Sequence, residues 1–191
     1  MVKSKYEFPE MFRKLGFKKG AEIGVAEGVF SEALCKGIPG LELYCIDYWT
    51  PYRGNRWGGS RERNKHHFKA ATERLAPYNT HIIKELSMDA VKRFKERQLD
   101  FVYIDANHAF DYVMQDLIEW TKRVKIGGIV SGDDYYEFNR GKQNYGGVVQ
   151  AVDTYTKAHD IKFEVTDPYT DKIQDRHCQE QANYWWTRVF K

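Results

Sequence analysis

Two stretches of this chain run from apolar residues straight into carboxylates. FVYIDANH carries Asp105 and, three residues on, His108; GGIVSGDDY, one helix-length later, carries Asp133 and Asp134. Each apolar run reads as a buried strand. The acids therefore fall at strand tips, where open α/β sheets place their chemistry. Three carboxylates make an all-oxygen donor set suited to a hard cation such as Mg²⁺, with positions left for water and substrate oxygens. His108 stands where it can take a proton from a hydroxyl acidified by that cation. The competing reading is plainer: clustered acids also cap helices or stay solvated, and a histidine opening a helix is often a surface residue.

The elements that must position these residues alternate. Strands are expected at 21–26, 41–47, 80–85, 99–105 and 127–133, with helices at 29–37, 60–76, 87–98, 110–125 and 147–160. Val113, Leu117, Trp120 and Val124 give the fourth helix an apolar face. Pro77 stops the second helix, and Ser87 is the expected N-cap of the third. Two final strands are expected at 161–166 and 183–190, the last aromatic, alternating and antiparallel. Strand and helix in units of about 30 residues describe βαβ crossovers and a parallel sheet. A chain of 191 residues without a Pro- or Ser-rich linker makes one domain, with residues 1–19 as an N-terminal extension.

Composition narrows the class. Hydrophobic content of 42% and charged content of 30% are those of a soluble globular protein. The opening MVKSKYEFPEMF has no apolar h-region, and no apolar run approaches bilayer length, so a cytoplasmic protein without membrane contact is expected. Cys35, Cys45 and Cys178 form neither a disulfide framework nor a zinc pattern. A net charge of +3 permits an anionic ligand without demanding nucleic acid.

The first strand ends in E-x-G-x-x-x-G, made by Glu22, Gly24 and Gly28. Glycines at a strand-to-helix turn let backbone approach a ligand. The spacing is not that of the dinucleotide fingerprint, and no phosphate loop is present. Asp47 ends the second strand about 20 residues on, where an acid can accept hydrogen bonds from a ribose diol. Ser87 and Met88, after the third strand, fall where an adenine ring would lie in such a nucleoside site. Singly, each of these residues has an ordinary structural reading as turn glycine, loop acid, cap or core methionine.

Together, the E-x-G-x-x-x-G turn, the acid after strand two and IDANHAFDYV…DLIEW…KIGGIVSGDDY resemble class I S-adenosylmethionine-dependent methyltransferases. Within them the chain is similar to the cephalosporin-hydroxylase-like proteins and the macrolide-sugar O-methyltransferases of the macrocin and mycinamicin types. The resemblance covers roughly residues 20–135. It implies a Rossmann-like α/β fold with a seven-stranded, mostly parallel sheet, helices on both faces and an antiparallel last strand. It implies that Glu22, Gly24, Gly28, Asp47, Ser87, Met88 and Asp105 hold S-adenosylmethionine. It also implies that Asp105, Asp133 and Asp134 ligate Mg²⁺ or another hard divalent cation, with His108 as base and Asp105 beside it in the catalytic centre. Many relatives have His-Asp where this chain has Asp133-Asp134, which favours the metal-dependent branch without naming a substrate. Strands four and five are neighbours in that sheet, so their terminal acids can converge about 4.8 Å apart. Consecutive strand residues face opposite sides, so Asp133 and Asp134 can both be ligands only if the chain leaves strand geometry near Gly132.

The expected reaction is methyl transfer to a hydroxyl of a small molecule, a sugar or glycosylated metabolite. Segments 48–61 and 135–147 mix Gly, Arg and aromatics and are expected to close over the site. Arg53, Arg56, Arg61, Arg63, Lys65 and Lys69 face the single acid Glu62 across residues 53–69. A solvated helix face accounts for them; a nucleotide- or RNA-binding face is the alternative. A non-catalytic nucleoside-binding protein is a further alternative, and the oligomeric state, a homo-oligomer included, stays open.

Overall fold

The computed structural model of the protein describes residues 2–52, 59–135, 147–166 and 182–189. Five strands form the parallel part of one sheet: β1 (Lys19–Ile23), β2 (Glu42–Asp47), β3 (Thr80–Lys84), β4 (Leu99–Ile104) and β5 (Val124–Gly132). Two short strands, β6 (Glu164–Val165) and β7 (Tyr184–Thr187), complete it in the order β3-β2-β1-β4-β5-β7-β6. β7 runs antiparallel to both β5 and β6. The chain builds outward from β1 to β3, then returns to β4 on the other side of β1. A crevice therefore opens at the carboxyl ends of β1 and β4, the switch point of the topology.

Period-two alternation divides the strand residues between two cores. Ile23, Ile46, Val102, Ile104 and Val130 face α5 (Phe110–Arg123) and α6 (Gly147–Ala158), with Trp120 and Trp186 fully buried among them. Leu43, Cys45, Phe101, Tyr103 and Ile129 face the opposite layer, which holds α1 (Phe8–Lys14), α2 (Val29–Gly37) and α3 (Arg61–Leu75). The expected helix at 87–98 is shorter. It is one turn, α4 (Ser87–Ala90), followed by a 3-10 turn, Val91–Arg93. Ser87 is not its N-cap: Leu86 holds that position, and the Ser87 hydroxyl is drawn instead into bonds with Asp116 and Trp120.

Residues 2–18 pack against the core through Val2, Phe8 and Phe12. A 3-10 turn, Lys5–Glu7, capped by Ser4, leads into α1. Phe8 and Phe12 are fully buried; Phe12 stacks on Phe101 with ring centroids 4.4 Å apart, and Phe8 meets Tyr103 edge-on at 6.1 Å. Both partners lie on β4, the strand that runs into Asp105, so this aromatic ladder fixes the N-terminal segment beside the site. Phe12→Ala is expected to lower the unfolding free energy by about 3–5 kcal/mol in urea titration. A loss under about 1 kcal/mol would mean the segment lies outside the cooperative core.

Candidate active site

The crevice depends on a contact that only glycine allows. Gly24 leaves β1 with φ +93°, and a Cβ placed there would stand 1.8 Å from the Asp105 carbonyl oxygen. The absent side chain lets the turn after β1 lie against the end of β4. Asp47 then ties the turn to β2: its Oδ2 accepts from the Ala26 amide at 2.9 Å and its Oδ1 from the Trp49 amide at 3.0 Å. The Trp49 indole donates to the Ala26 carbonyl at 2.8 Å, closing the loop. A carboxylate has about four lone-pair sites, so Asp47 retains capacity for ligand hydroxyls.

Above these contacts lies a cavity of about 700 Å³. Gly24, Asp47, Ser87, Met88, Asp105 and His108 all line it. So does Asp116, which is 3% exposed and accepts a hydrogen bond from the Ser87 hydroxyl. The Trp120 indole donates to the same hydroxyl at 2.8 Å. Burial raises the Asp116 carboxyl to about 7, against the Ser87 bond that favours its charged form. Asn107 orients the far rim, its amide donating to the Tyr52 hydroxyl at 3.3 Å and its carbonyl accepting from the Ala109 amide at 3.0 Å.

At one end of the cavity the acids converge. Strand geometry stops at Gly132, and Asp134 has φ +59°, so the two successive carboxylates point to different partners. His108 Nε2 lies 3.0 Å from Asp134 Oδ2 and 3.5 Å from Asp105 Oδ1. One ligand atom from each of Asp105, His108 and Asp134 falls within 4.8 Å of the others. The two carboxylates are oxygen donors a hard divalent cation accepts, and they leave the imidazole beside them within reach as a base. Asp133 is turned away: its Oδ2 pairs with the Lys5 ammonium at 2.9 Å and its Oδ1 accepts from the Asp134 amide at 2.9 Å.

The electrostatics reflect this crowding. Burial alone would pull His108 down, but bonds to Asp105 and Asp134 reverse this and raise it to about 10. While those carboxylates are its counter-charges, the imidazole carries its proton at neutral pH. Burial also pulls Lys5 down, and Asp133, with Asp105 behind it, outweighs this and lifts the ammonium above its ordinary range. Burial pushes Asp133 up, the charge of Asp105 adds to the rise, and Lys5 opposes it.

A family of proteins described as a methyltransferase domain matches residues 21–135, more than half of the sequence. The chain belongs to this methyltransferase family. No curated protein matches it. Among solved structures, the methyltransferase is similar to an O-methyltransferase from Bacillus cereus in complex with SAH, at 12% identity and a TM-score of 0.69, covering 96% of this chain and 80% of that one. It is similar also to the O-methyltransferase TomG of Streptomyces achromogenes in complex with SAM, at 15% identity, TM-score 0.64 and coverage of 96% and 79%. An rRNA methylase from Streptococcus thermophilus shares the fold at 11% identity and TM-score 0.65, covering 100% of this chain and 99% of that one. At these identities the likeness is one of fold.

Of the residues singled out in the methyltransferase sequence, Gly24, Asp47, Ser87, Met88, Asp105 and His108 share one cavity, and Asp134 joins its acid end. Glu22 and Gly28 lie behind it. Gly28 caps α2 in left-handed backbone, and Glu22, 2% exposed, accepts from the Ser31 hydroxyl of α2. Segments 53–58 and 136–146, the middles of the two expected loops, lie outside the described residues, Arg53 and Arg56 among them. On α3, Arg61, Arg63, Lys65 and Lys69 are all exposed, and Arg63 with the half-buried His67 reaches the cavity wall. Lys5, Asn107 and Asp116 were not anticipated. Asp116 had a signal: an acid three residues after Val113 and four before Trp120 sits on the apolar face of its helix. Lys5 had none.

Burial raises Glu22 to about 8, with Asp105 adding to the shift and the Ser31 bond opposing it. The folded protein therefore keeps a proton on Glu22 that the unfolded chain releases above its ordinary 4.5, so stability falls as pH rises from about 4.5 to 8. Glu22→Gln removes this titration. Its melting temperature is expected to match the wild type near pH 4.5 and to exceed it at pH 8.5, by an equivalent on the order of a few kcal/mol. Parallel melting curves at both pH values would contradict the buried, protonated Glu22.

Proposed function

We propose that this methyltransferase moves the methyl group of S-adenosylmethionine to a hydroxyl oxygen of a small molecule, a sugar or glycosylated metabolite, with a hard divalent cation at the acid site. The observation that carries the reading is a shared wall. Asp105 and His108 line the cavity and belong to the donor cluster at its end. A donor lying in the crevice and an acceptor held at the acids would therefore meet at those two residues.

S-adenosylmethionine, when bound, supplies an electrophilic methyl on a sulfonium. Asp47 would accept from the ribose hydroxyls, Met88 would pack against the adenine, and the Ser87–Asp116 pair would offer polar groups at the same end. Gly24 lets the backbone approach without a side chain in the way. A hard divalent cation on Asp105 and Asp134 would acidify an acceptor hydroxyl and relieve His108 of the two carboxylates that hold its proton. His108, so relieved, would take the hydroxyl proton at Nε2. The polar cavity wall at Arg63 and His67 suits a hydroxyl-rich acceptor. Alignment of the two substrates in one enclosed space would supply several kcal/mol of the acceleration. A cytoplasmic location fits this reading; among the described residues no helix is long and apolar enough to cross a membrane.

Calorimetry with S-adenosylhomocysteine tests the donor site. The folded protein should bind it, and Asp47→Ala should weaken binding by about tenfold or more, the loss of hydrogen bonds to a charged group. No heat of binding from a folded protein would refute the reading. Transfer of a labelled methyl group to a panel of sugars and glycosides tests the acceptor side. EDTA or Asp105→Asn should abolish transfer, and His108→Ala should slow it by roughly 10²–10⁴-fold with recovery as pH rises. Full activity in EDTA would leave the acids with a structural role.

A further inference from the structure

Asp133 is the third acid of the site, and a lysine from the other end of the chain holds it. Lys5 comes from the 3-10 turn before α1 and crosses 128 positions of sequence to place its ammonium 2.9 Å from Asp133 Oδ2. The Asp133 side chain is 2% exposed and that of Lys5 18%. The turn is firmly seated. Ser4, 4% exposed, accepts from the Tyr6 amide and caps the turn, Tyr6 meets Phe30 edge-on at 6.3 Å, and Phe8 and Phe12 anchor α1 against β4. Asp105 lies within electrostatic reach of the same ammonium.

An ammonium is a compact, monovalent, strongly hydrated charge on a flexible stem. Paired to a carboxylate beside two others, it supplies part of the positive charge that a divalent cation would bring. It also occupies oxygen lone pairs that such a cation would use. We propose that Lys5 is a built-in competitor for Asp133: its ammonium keeps that carboxylate out of the cation site and so sets how tightly a divalent ion binds at Asp105 and Asp134. This inference rests on the metal reading of the acid cluster. It makes Lys5 a positioning residue that acts through Asp133, and it gives the N-terminal segment a role in the chemistry of the site.

Mn²⁺ binding, followed by the loss of free-ion signal in electron paramagnetic resonance, tests this without any turnover. Lys5→Met removes one charge at a few ångströms and releases Asp133. Mn²⁺ should bind about 10- to 100-fold more tightly, the size of effect a unit charge exerts on a divalent ion a few ångströms away through a water-like dielectric of about 80. Lys5→Arg, which keeps the charge, should stay close to the wild type. Lys5→Met/Asp133→Asn should lose the gain, because the gain runs through Asp133. Should Lys5→Met not fold, Lys5→Gln keeps a hydrogen-bond donor for Asp133 and should tighten Mn²⁺ binding in the same direction. Equal affinity in wild type and folded Lys5→Met would overturn the role of Lys5 and leave the metal reading standing. A gain that persists in the double variant would show that Lys5 acts by charge at a distance and overturn competition for Asp133. If neither the wild type nor Lys5→Met binds Mn²⁺, the metal reading itself fails and this inference with it.

Discussion

Three carboxylates at the ends of two adjacent strands repel one another, and the surroundings of the site are organised by the positive charge that answers them. β4 and β5 bring Asp105 and the Asp133–Asp134 pair together because their registers place Ile104 opposite Gly132. Left uncompensated in a partly buried crevice, such a group of charges is costly. The protein meets the charge with two groups of its own. His108, three residues beyond Asp105, lies between Asp105 and Asp134, and Lys5, from the N-terminal turn, takes Asp133. On the proposed metal reading, a cation would enter a site that already has internal counter-charges.

Division of labour between the two acids of β5 comes from backbone geometry. A Cβ at residue 132 would stand 2.5 Å from the Ile104 carbonyl and 2.3 Å from the Tyr184 hydroxyl, so Gly132 lets β5 lie close to both β4 and β7 at its tip. Immediately beyond, Asp134 adopts a left-handed conformation and swings its carboxylate toward His108, while Asp133 turns toward the α1 layer. The same economy of space operates at β1, where Gly24 admits the Asp105 carbonyl. Two glycines thus set the width of the crevice, one on its floor and one at its acid end.

The Ser87 end of the cavity is held by a buried polar network. Ser87, freed from capping α4, accepts from Trp120 and donates to Asp116, so three residues from two helices are locked in one arrangement. Such a network fixes the shape of the pocket where an apolar wall would allow sliding. It also leaves a carboxyl, raised to about 7 by burial, facing the cavity.

Most of the sheet was legible in the sequence because each strand has its own period-two pattern and each long helix its own apolar stripe, both of which depend on residues near in sequence. The αβ alternation, the antiparallel aromatic last strand and the placement of Asp47, Asp105 and His108 at strand ends come from that local information. The truncated helix at Ser87 was not legible, since its hydroxyl was claimed by Asp116 and Trp120 from a helix about 30 residues away. Nor was the different fate of neighbouring Asp133 and Asp134, which depends on a left-handed backbone step and on a lysine at the far end of the chain. Sequence alone determined which residues carry charge and which strands end in them. Tertiary structure alone decided which charges pair, because electrostatic energy depends on distance in space and Lys5 and Asp133 are neighbours only after α1 has packed against β4.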